Sequence, residues 1–105
     1  MKTKSVIELK AMIDTGQSFQ LIDVREPYEH EFSNIQGELI PLNTLTGNFE
    51  RIDKDKPVII YCRSGARSGQ AVMFLEAQLG LDNLYNLDGG ILAWSDEIDP
   101  KIPKY

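Results

Sequence analysis

The sequence predicts an α/β domain built on a central, mostly parallel sheet of about five short strands, with helices on both faces. Three observations point there. Short apolar runs alternate along the chain with stretches of helical spacing, the order that builds parallel sheets. The run Val58-Ile-Ile-Tyr-Cys62 is β-branched and apolar on both faces, as a strand covered by helices on each side must be. The 105 residues contain no Pro/Gly/Ser-rich linker and no internal repeat, so residues 1–105 read as one domain with a single modest core.

The elements follow in order. Ser5-Val-Ile-Glu8 is a capping box, opening a helix whose loose apolar face is Ile7, Leu9, Ala11, Met12 and Ile13 and which Thr15-Gly16 ends. Phe19 to Val24 is a compact strand bounded by polar residues, and Pro27 suits the first turn of a helix reaching about Phe32. Leu39-Ile40 reads as a short strand. Thr44 to Ile52 places Leu45, Phe49 and Ile52 at helical spacing, although Gly47 weakens the helix. Turn residues Asp53 to Pro57 lead into the strand Val58 to Cys62. A helix then runs from Ser64 or Gly65 to about Leu79, with Val72, Met73, Phe74 and Leu75 as its core residues and Gly80 as its stop. Leu84 to Leu87 is a strand, Ile91 to Ile98 the last helix with Trp94 as an apolar anchor, and Asp99 to Tyr105 an extended tail.

Composition narrows the function. A formal net charge of -5 and no run of basic residues argue against nucleic acid and anionic membrane surfaces as partners. The longest apolar runs are far too short to span a bilayer, which suggests a cytoplasmic chain. One cysteine forms no internal disulfide, in keeping with a reducing compartment. One cysteine and one histidine also fall short of a structural zinc site, so no metal is expected.

The chemistry concentrates in Tyr61-Cys-Arg-Ser-Gly-Ala-Arg-Ser-Gly-Gln70. Cys62 stands at the carboxyl end of the most apolar strand, where open α/β sheets bind ligands, and just before a helix N-terminus. The unpartnered N–H groups of that terminus attract an anion, Gly65 permits the curvature that aims them at one point, and Ser64 and Ser68 add hydroxyl donors. Together with Arg63 and Arg67 they would lower the pKa of Cys62 and make it a nucleophile that draws anionic substrates. The plainer alternative is a small buried cysteine that ends a strand as packing. Two arginines within five residues favour the reactive reading.

This loop resembles the CRSGxRS active-site loop of rhodanese-like sulfurtransferases. Leu21-Ile-Asp-Val-Arg-Glu-Pro-Tyr-Glu29 resembles the family's LIDVREPxE signature, and Leu87-Asp-Gly-Gly-Ile-Leu-Ala-Trp94 its LxGGxxAW segment. The match covers nearly the whole chain in the right order. It departs at Ser33 to Leu42, where Asn34 replaces a histidine and Gln36 a proline of the usual pattern. The tail and Leu39 to Leu42 are similar to the rhodanese domain that closes molybdopterin-synthase sulfurylase-type adenylyltransferases, and Met1 favours a freestanding relative over an excised domain.

The resemblance implies the rhodanese-like three-layer fold and a sulfurtransferase. Cys62 is then the catalytic residue, Arg63, Ser64, Gly65, Ala66, Arg67 and Ser68 bind the substrate, and a Cys62 persulfide takes the place of any cofactor. The donor would be thiosulfate or a related small anion. The alternative is a relay that exchanges sulfur with a protein donor or acceptor in cofactor or thionucleoside biosynthesis. A non-catalytic binding module usually lacks the cysteine, and the related phosphatases place five residues between Cys and Arg where this chain has four between Cys62 and Arg67. A seat for one sulfur fits the shorter loop. Asp23, Arg25 and Glu29 are expected to form an ion-paired scaffold around the site, and His30 a solvated helix residue. Gly89-Gly90 reads as a turn into the last helix, and Tyr28, Tyr61, Tyr85 and Tyr105 suggest nothing specific.

Overall fold

The computed structural model describes residues 1–105. Five strands, β1 (Lys2–Lys4), β2 (Gln20–Asp23), β3 (Glu38–Leu39), β4 (Val58–Tyr61) and β5 (Leu84–Leu87), form one sheet in the order β1-β5-β4-β2-β3, and every pairing is parallel. Three helices, α1 (Val6–Asp14), α2 (Pro27–Phe32) and α3 (Ala66–Leu79), and a 3-10 segment (Leu42–Arg51) connect successive strands, and a fourth helix, α4 (Gly90–Glu97), follows β5. The α/β class, the parallel sheet and the strand count agree with the sequence reading.

β4 divides the core because its side chains alternate between the two faces. Val58, Ile60 and Cys62 join Ala71, Val72 and Leu75 of α3 on one side, and Ile59 and Tyr61 join Leu9, Ile91 and Trp94 on the other. The single core of the sequence reading is therefore two layers, one on each side of a sheet whose central strand is buried throughout.

Several expectations are corrected. β1 carries no apolar residue (Lys-Thr-Lys), and its backbone pairing to β5 at the sheet edge is what makes it a strand. α1 has both bonds of its capping box, at 2.9 and 3.0 Å, yet it buries Val6, Leu9 and Met12 and leaves Ile7 and Ile13 exposed. Likewise α3 buries Ala71, Val72 and Leu75 while Met73 and Phe74 face outward, because a helix presents one stripe to its sheet. The segment Leu42–Arg51 is 3-10 rather than α, broken at Asn48 where φ is -133. β3 pairs through Glu38–Leu39, one residue earlier than expected. The tail turns at Pro100-Lys101, with the Ser95 hydroxyl donating to the Ile102 carbonyl at 2.6 Å, and so is not extended throughout.

The departure at Asn34 and Gln36 has a local cause. Gln36 sits at φ 69, which a proline locked near -65° cannot adopt. Asn34 holds that turn by accepting from Gln36 N–H at 2.8 Å and donating to the His30 carbonyl at 3.0 Å.

The topology places the site. From β2 the chain moves outward to β3, and from β4 it moves the opposite way to β5, so connections diverge between the adjacent strands β2 and β4. Ligands in open parallel sheets sit at the carboxyl ends of strands at such a divergence. Asp23 ends β2, and Cys62 follows β4 immediately.

Candidate active site

Cys62 is 1% exposed, and its Sγ is the focus of the loop that follows. Gly65 N–H reaches it at 3.1 Å and Ser68 N–H at 3.4 Å, and the Ser68 hydroxyl oxygen lies 3.3 Å away. Gly65 makes this possible: as the N-cap of α3 it adopts φ 108, turning its own N–H inward where a residue with a Cβ would be strained. The first turn of α3 adds the field of a helix N-terminus. Burial pushes the thiol pKa up, but the Ser68 hydroxyl and the N–H groups of Ser68, Gly65 and Ser64 outweigh it, and the pKa lies below the ordinary cysteine value. The plainer reading of Cys62 is thus half realised: it packs into the core and still collects donors.

The loop is braced from behind. Ile91 and Leu92, at the start of α4, donate N–H bonds to the carbonyls of Cys62 and Arg63 at 3.0 and 3.1 Å. Gly90 lets α4 come this close, since a Cβ there would lie 2.5 Å from the Arg63 carbonyl oxygen. The Arg63 carbonyl is thereby held against α4, and the N–H of the same peptide, that of Ser64, is one of the groups that lower the Cys62 pKa.

The remaining loop residues divide. Ser64 and Ala66 are exposed at the rim, and the Ser64 hydroxyl contributes no bond to the sulfur. Of the two serine hydroxyls expected as donors, only that of Ser68 approaches it. The two arginines also have other partners. Arg67 makes a bidentate pair with Glu29 at 2.7 and 2.9 Å, and Arg63 donates to the main-chain oxygen of Tyr105 and lies over its ring. Neither guanidinium donates to Cys62, so the local donors at the sulfur are neutral.

Asp23, Arg25 and Glu29 fall in two separate ion pairs, Arg25 with Asp23 and Glu29 with Arg67. Arg25 is completely buried, with its Nη2 2.7 Å from Asp23 Oδ2 and 2.6 Å from the Ser33 carbonyl. Its guanidinium also lies over the buried ring of Tyr61. Tyr105 donates its hydroxyl to Glu29 at 2.6 Å and accepts from Arg25 Nη1 at 3.0 Å, which joins the two ion pairs. His30 is not simply solvated, for its Nδ1 lies 2.8 Å from Asp23 Oδ2. Tyr61 and Tyr105 therefore have structural work that the sequence reading missed.

Arg67, with lesser help from the Tyr105 hydroxyl, holds the Glu29 carboxyl down to about 2. Glu29 thus stabilises the fold above its ordinary value of 4.5, and the contribution drains away as pH falls from there toward about 2. A thermal-denaturation series through this window is expected to show a falling Tm, and Glu29→Gln is expected to flatten that slope.

A further residue missed from the sequence is Asn86, a buried amide within β5. Its Oδ1 lies 2.5 Å from the Ser68 hydroxyl, and its Nδ2 donates to the Gly65 carbonyl at 3.1 Å. An asparagine in an otherwise apolar parallel strand, Leu-Tyr-Asn-Leu, is the signal that could have found it.

Compared with known proteins, residues 5–97 match the family described as Rhodanese-like domain. The putative sulfurtransferase YtwF of Bacillus subtilis is 36% identical over 102 residues, covering 96% of this chain and 97% of that protein. The probable adenylyltransferase/sulfurtransferase MoeZ of Mycobacterium tuberculosis is 32% identical over 101 residues and 93% of this chain, which spans only 26% of the relative's length. A crystal structure of a rhodanese-like domain protein from Staphylococcus aureus aligns with a TM-score of 0.84 at 32% identity, covering 100% of this chain and 99% of that one.

Proposed function

Since this chain belongs to the rhodanese-like domain family, we propose that it is a sulfurtransferase that carries sulfane sulfur on Cys62 as a persulfide. Relatives named as sulfurtransferases support the transfer of sulfur in general. The observation that carries the specific reading is the convergence of Gly65 N–H, Ser68 N–H and the Ser68 hydroxyl on one buried sulfur. Such a seat stabilises a thiolate and, after reaction, a charged terminal sulfur above it.

The cycle has two half-reactions. The Cys62 thiolate attacks the outer sulfur of thiosulfate, the sulfur–sulfur bond of the donor breaks, and its electron pair leaves with sulfite. The enzyme keeps a Cys62 persulfide anion. Cyanide or a thiolate then attacks the terminal sulfur, and the electron pair of the persulfide bond returns to Cys62. Charge balances in each step and no external redox partner enters. Arg63, half-buried beside the loop, supplies positive charge for the incoming dianion, while the charge of Arg67 is offset by its pair with Glu29. Ser64 and Ala66 line the rim, where small side chains leave room for it.

A relay reading, in which sulfur passes to or from a protein partner, draws support from the similarity to MoeZ. Both readings share the persulfide and differ in turnover with small molecules.

The test is to treat the protein with thiosulfate, measure its mass, and follow thiocyanate formation after cyanide is added. A gain of one sulfur atom and ping-pong kinetics are expected. Persulfide formation with negligible thiocyanate turnover would favour the relay. No mass gain with thiosulfate or with a persulfide donor would overturn the reading.

A further inference from the structure

The Ser68 hydroxyl has one hydrogen and two claimants, the Cys62 sulfur at 3.3 Å and the Asn86 Oδ1 at 2.5 Å. The amide's orientation is fixed, because its Nδ2 donates to the Gly65 carbonyl and so its oxygen end faces Ser68. Only oxygen lone pairs are offered to the hydroxyl on that side, so while Cys62 is a neutral thiol Ser68 donates to Asn86. Its own lone pairs are then turned toward Cys62, where they suit a neutral S–H. A thiolate wants the opposite arrangement, with the hydroxyl hydrogen on sulfur.

We infer that Asn86 is a positioning residue that governs ionisation of Cys62 by competing for the hydroxyl hydrogen of Ser68. When Cys62 loses its proton to water, the hydroxyl rotates from Asn86 to the sulfur, and the buried Asn86 oxygen gives up its partner. That loss opposes ionisation, while the N–H groups of Gly65 and Ser68 favour it whichever way the hydroxyl points. No covalent bond changes on Ser68 or Asn86. When Cys62 bonds to a sulfur atom its negative charge moves outward, and the hydroxyl is free to return to Asn86. This last consequence rests on the persulfide reading; the ionisation itself does not.

Other groups around the loop act through different routes. Arg67 on α3 faces it while paired to Glu29 of α2, and Arg63 lies within it. The Asp23–Arg25 pair, with His30 against it, closes the end of β2, and Tyr105 covers the side formed by the tail. Asp88 is exposed beyond β5, and α4 brings main-chain N–H groups to the loop. None of these side chains bonds to Ser68 or Asn86.

Because Cys62 is the single cysteine, its titration can be read without assignment, from thiolate absorbance and from the pH dependence of alkylation. Asn86→Ala leaves the hydroxyl with sulfur as its acceptor, and the thiolate midpoint is expected to fall by roughly half a pH unit. Asn86→Asp, a stronger acceptor and a like charge, is expected to raise it by about one unit or more. Ser68→Ala is expected to raise it as well, and adding Asn86→Ala to Ser68→Ala should change nothing further. A purely structural asparagine gives no such opposite signs and no dependence on Ser68. An unmoved midpoint in Asn86→Ala, or an equal shift with and without Ser68, would overturn the inference, and Asn86→Ala decides the matter should the buried aspartate prevent folding. Absence of sulfur transfer in the unaltered protein would sink the persulfide reading and leave these midpoints as they are.

Discussion

Cys62→Ser is expected to abolish both the mass gain with thiosulfate and thiocyanate formation, with a loss of at least about a thousandfold in turnover. Serine keeps the size and the hydrogen-bonding position, so the seat made by Gly65 and Ser68 survives around an oxygen. The alcohol, however, stays protonated at neutral pH, and the seat cannot bring it into the range where thiols ionise. An oxygen also forms no stable analogue of the persulfide. The fold should tolerate the change, since Cys62 contributes only one small side chain to the layer containing Ile60, Ala71 and Val72. An unchanged denaturation midpoint together with lost transfer is the signature to look for. Retained thiocyanate formation would place the nucleophile elsewhere.

Gly90→Ala is expected to cost about 3 kcal/mol or more of stability and to remove most transfer activity, although the residue never touches substrate. The added Cβ would stand 2.5 Å from the Arg63 carbonyl oxygen, 2.6 Å from that of Cys62 and 2.7 Å from the Arg63 carbonyl carbon. These are main-chain atoms of the loop itself and cannot swing aside. The φ of 59 at Gly90 adds left-handed strain for any residue with a side chain. Relief requires α4 to back away, which breaks the Ile91 and Leu92 bonds that set the loop's shape. Gly47→Ala is the control, since nothing lies within 4 Å of its Cβ and its φ is not positive. Denaturant midpoints and thiocyanate rates for the two variants check the contrast. Equal midpoints would show that α4 does not brace the loop.

Cys62 and the brace at Gly90 differ in how far local sequence reveals them. The place of the proposed nucleophile was legible in the sequence, because a strand apolar on both faces ends in Cys62 and small residues lead into a helix. The bracing was half legible: Gly89-Gly90 announced a turn, but the carbonyls it approaches lie some thirty positions earlier in the chain. Long-range pairing hid the other features too. Arg67 and Glu29 are each polar residues on a helix, and nothing local says that they meet across 38 positions. β1 was invisible because its strand character comes from pairing with β5, not from Lys2, Thr3 or Lys4. Spacing suggested an α-helix across Leu45, Phe49 and Ile52, but burial of Leu45 and Ile52 is satisfied by a tighter and broken 3-10 path. Local chemistry marked the site; contacts across the sheet decide how its parts are held.

The recess of Cys62, only 1% exposed, bears on which bond a nucleophile can break. A protein persulfide offers two electrophilic sulfurs. Attack at the terminal one passes the cargo on, whereas attack at the one bonded to carbon discards the cargo as hydrosulfide and leaves a mixed disulfide on the protein. With Cys62 Sγ enclosed by its loop, an approaching thiolate meets the terminal sulfur first and has no line of approach to the second. For a persulfide carried on Cys62, this burial would act as a regiochemical guard, steering encounters toward delivery rather than discharge.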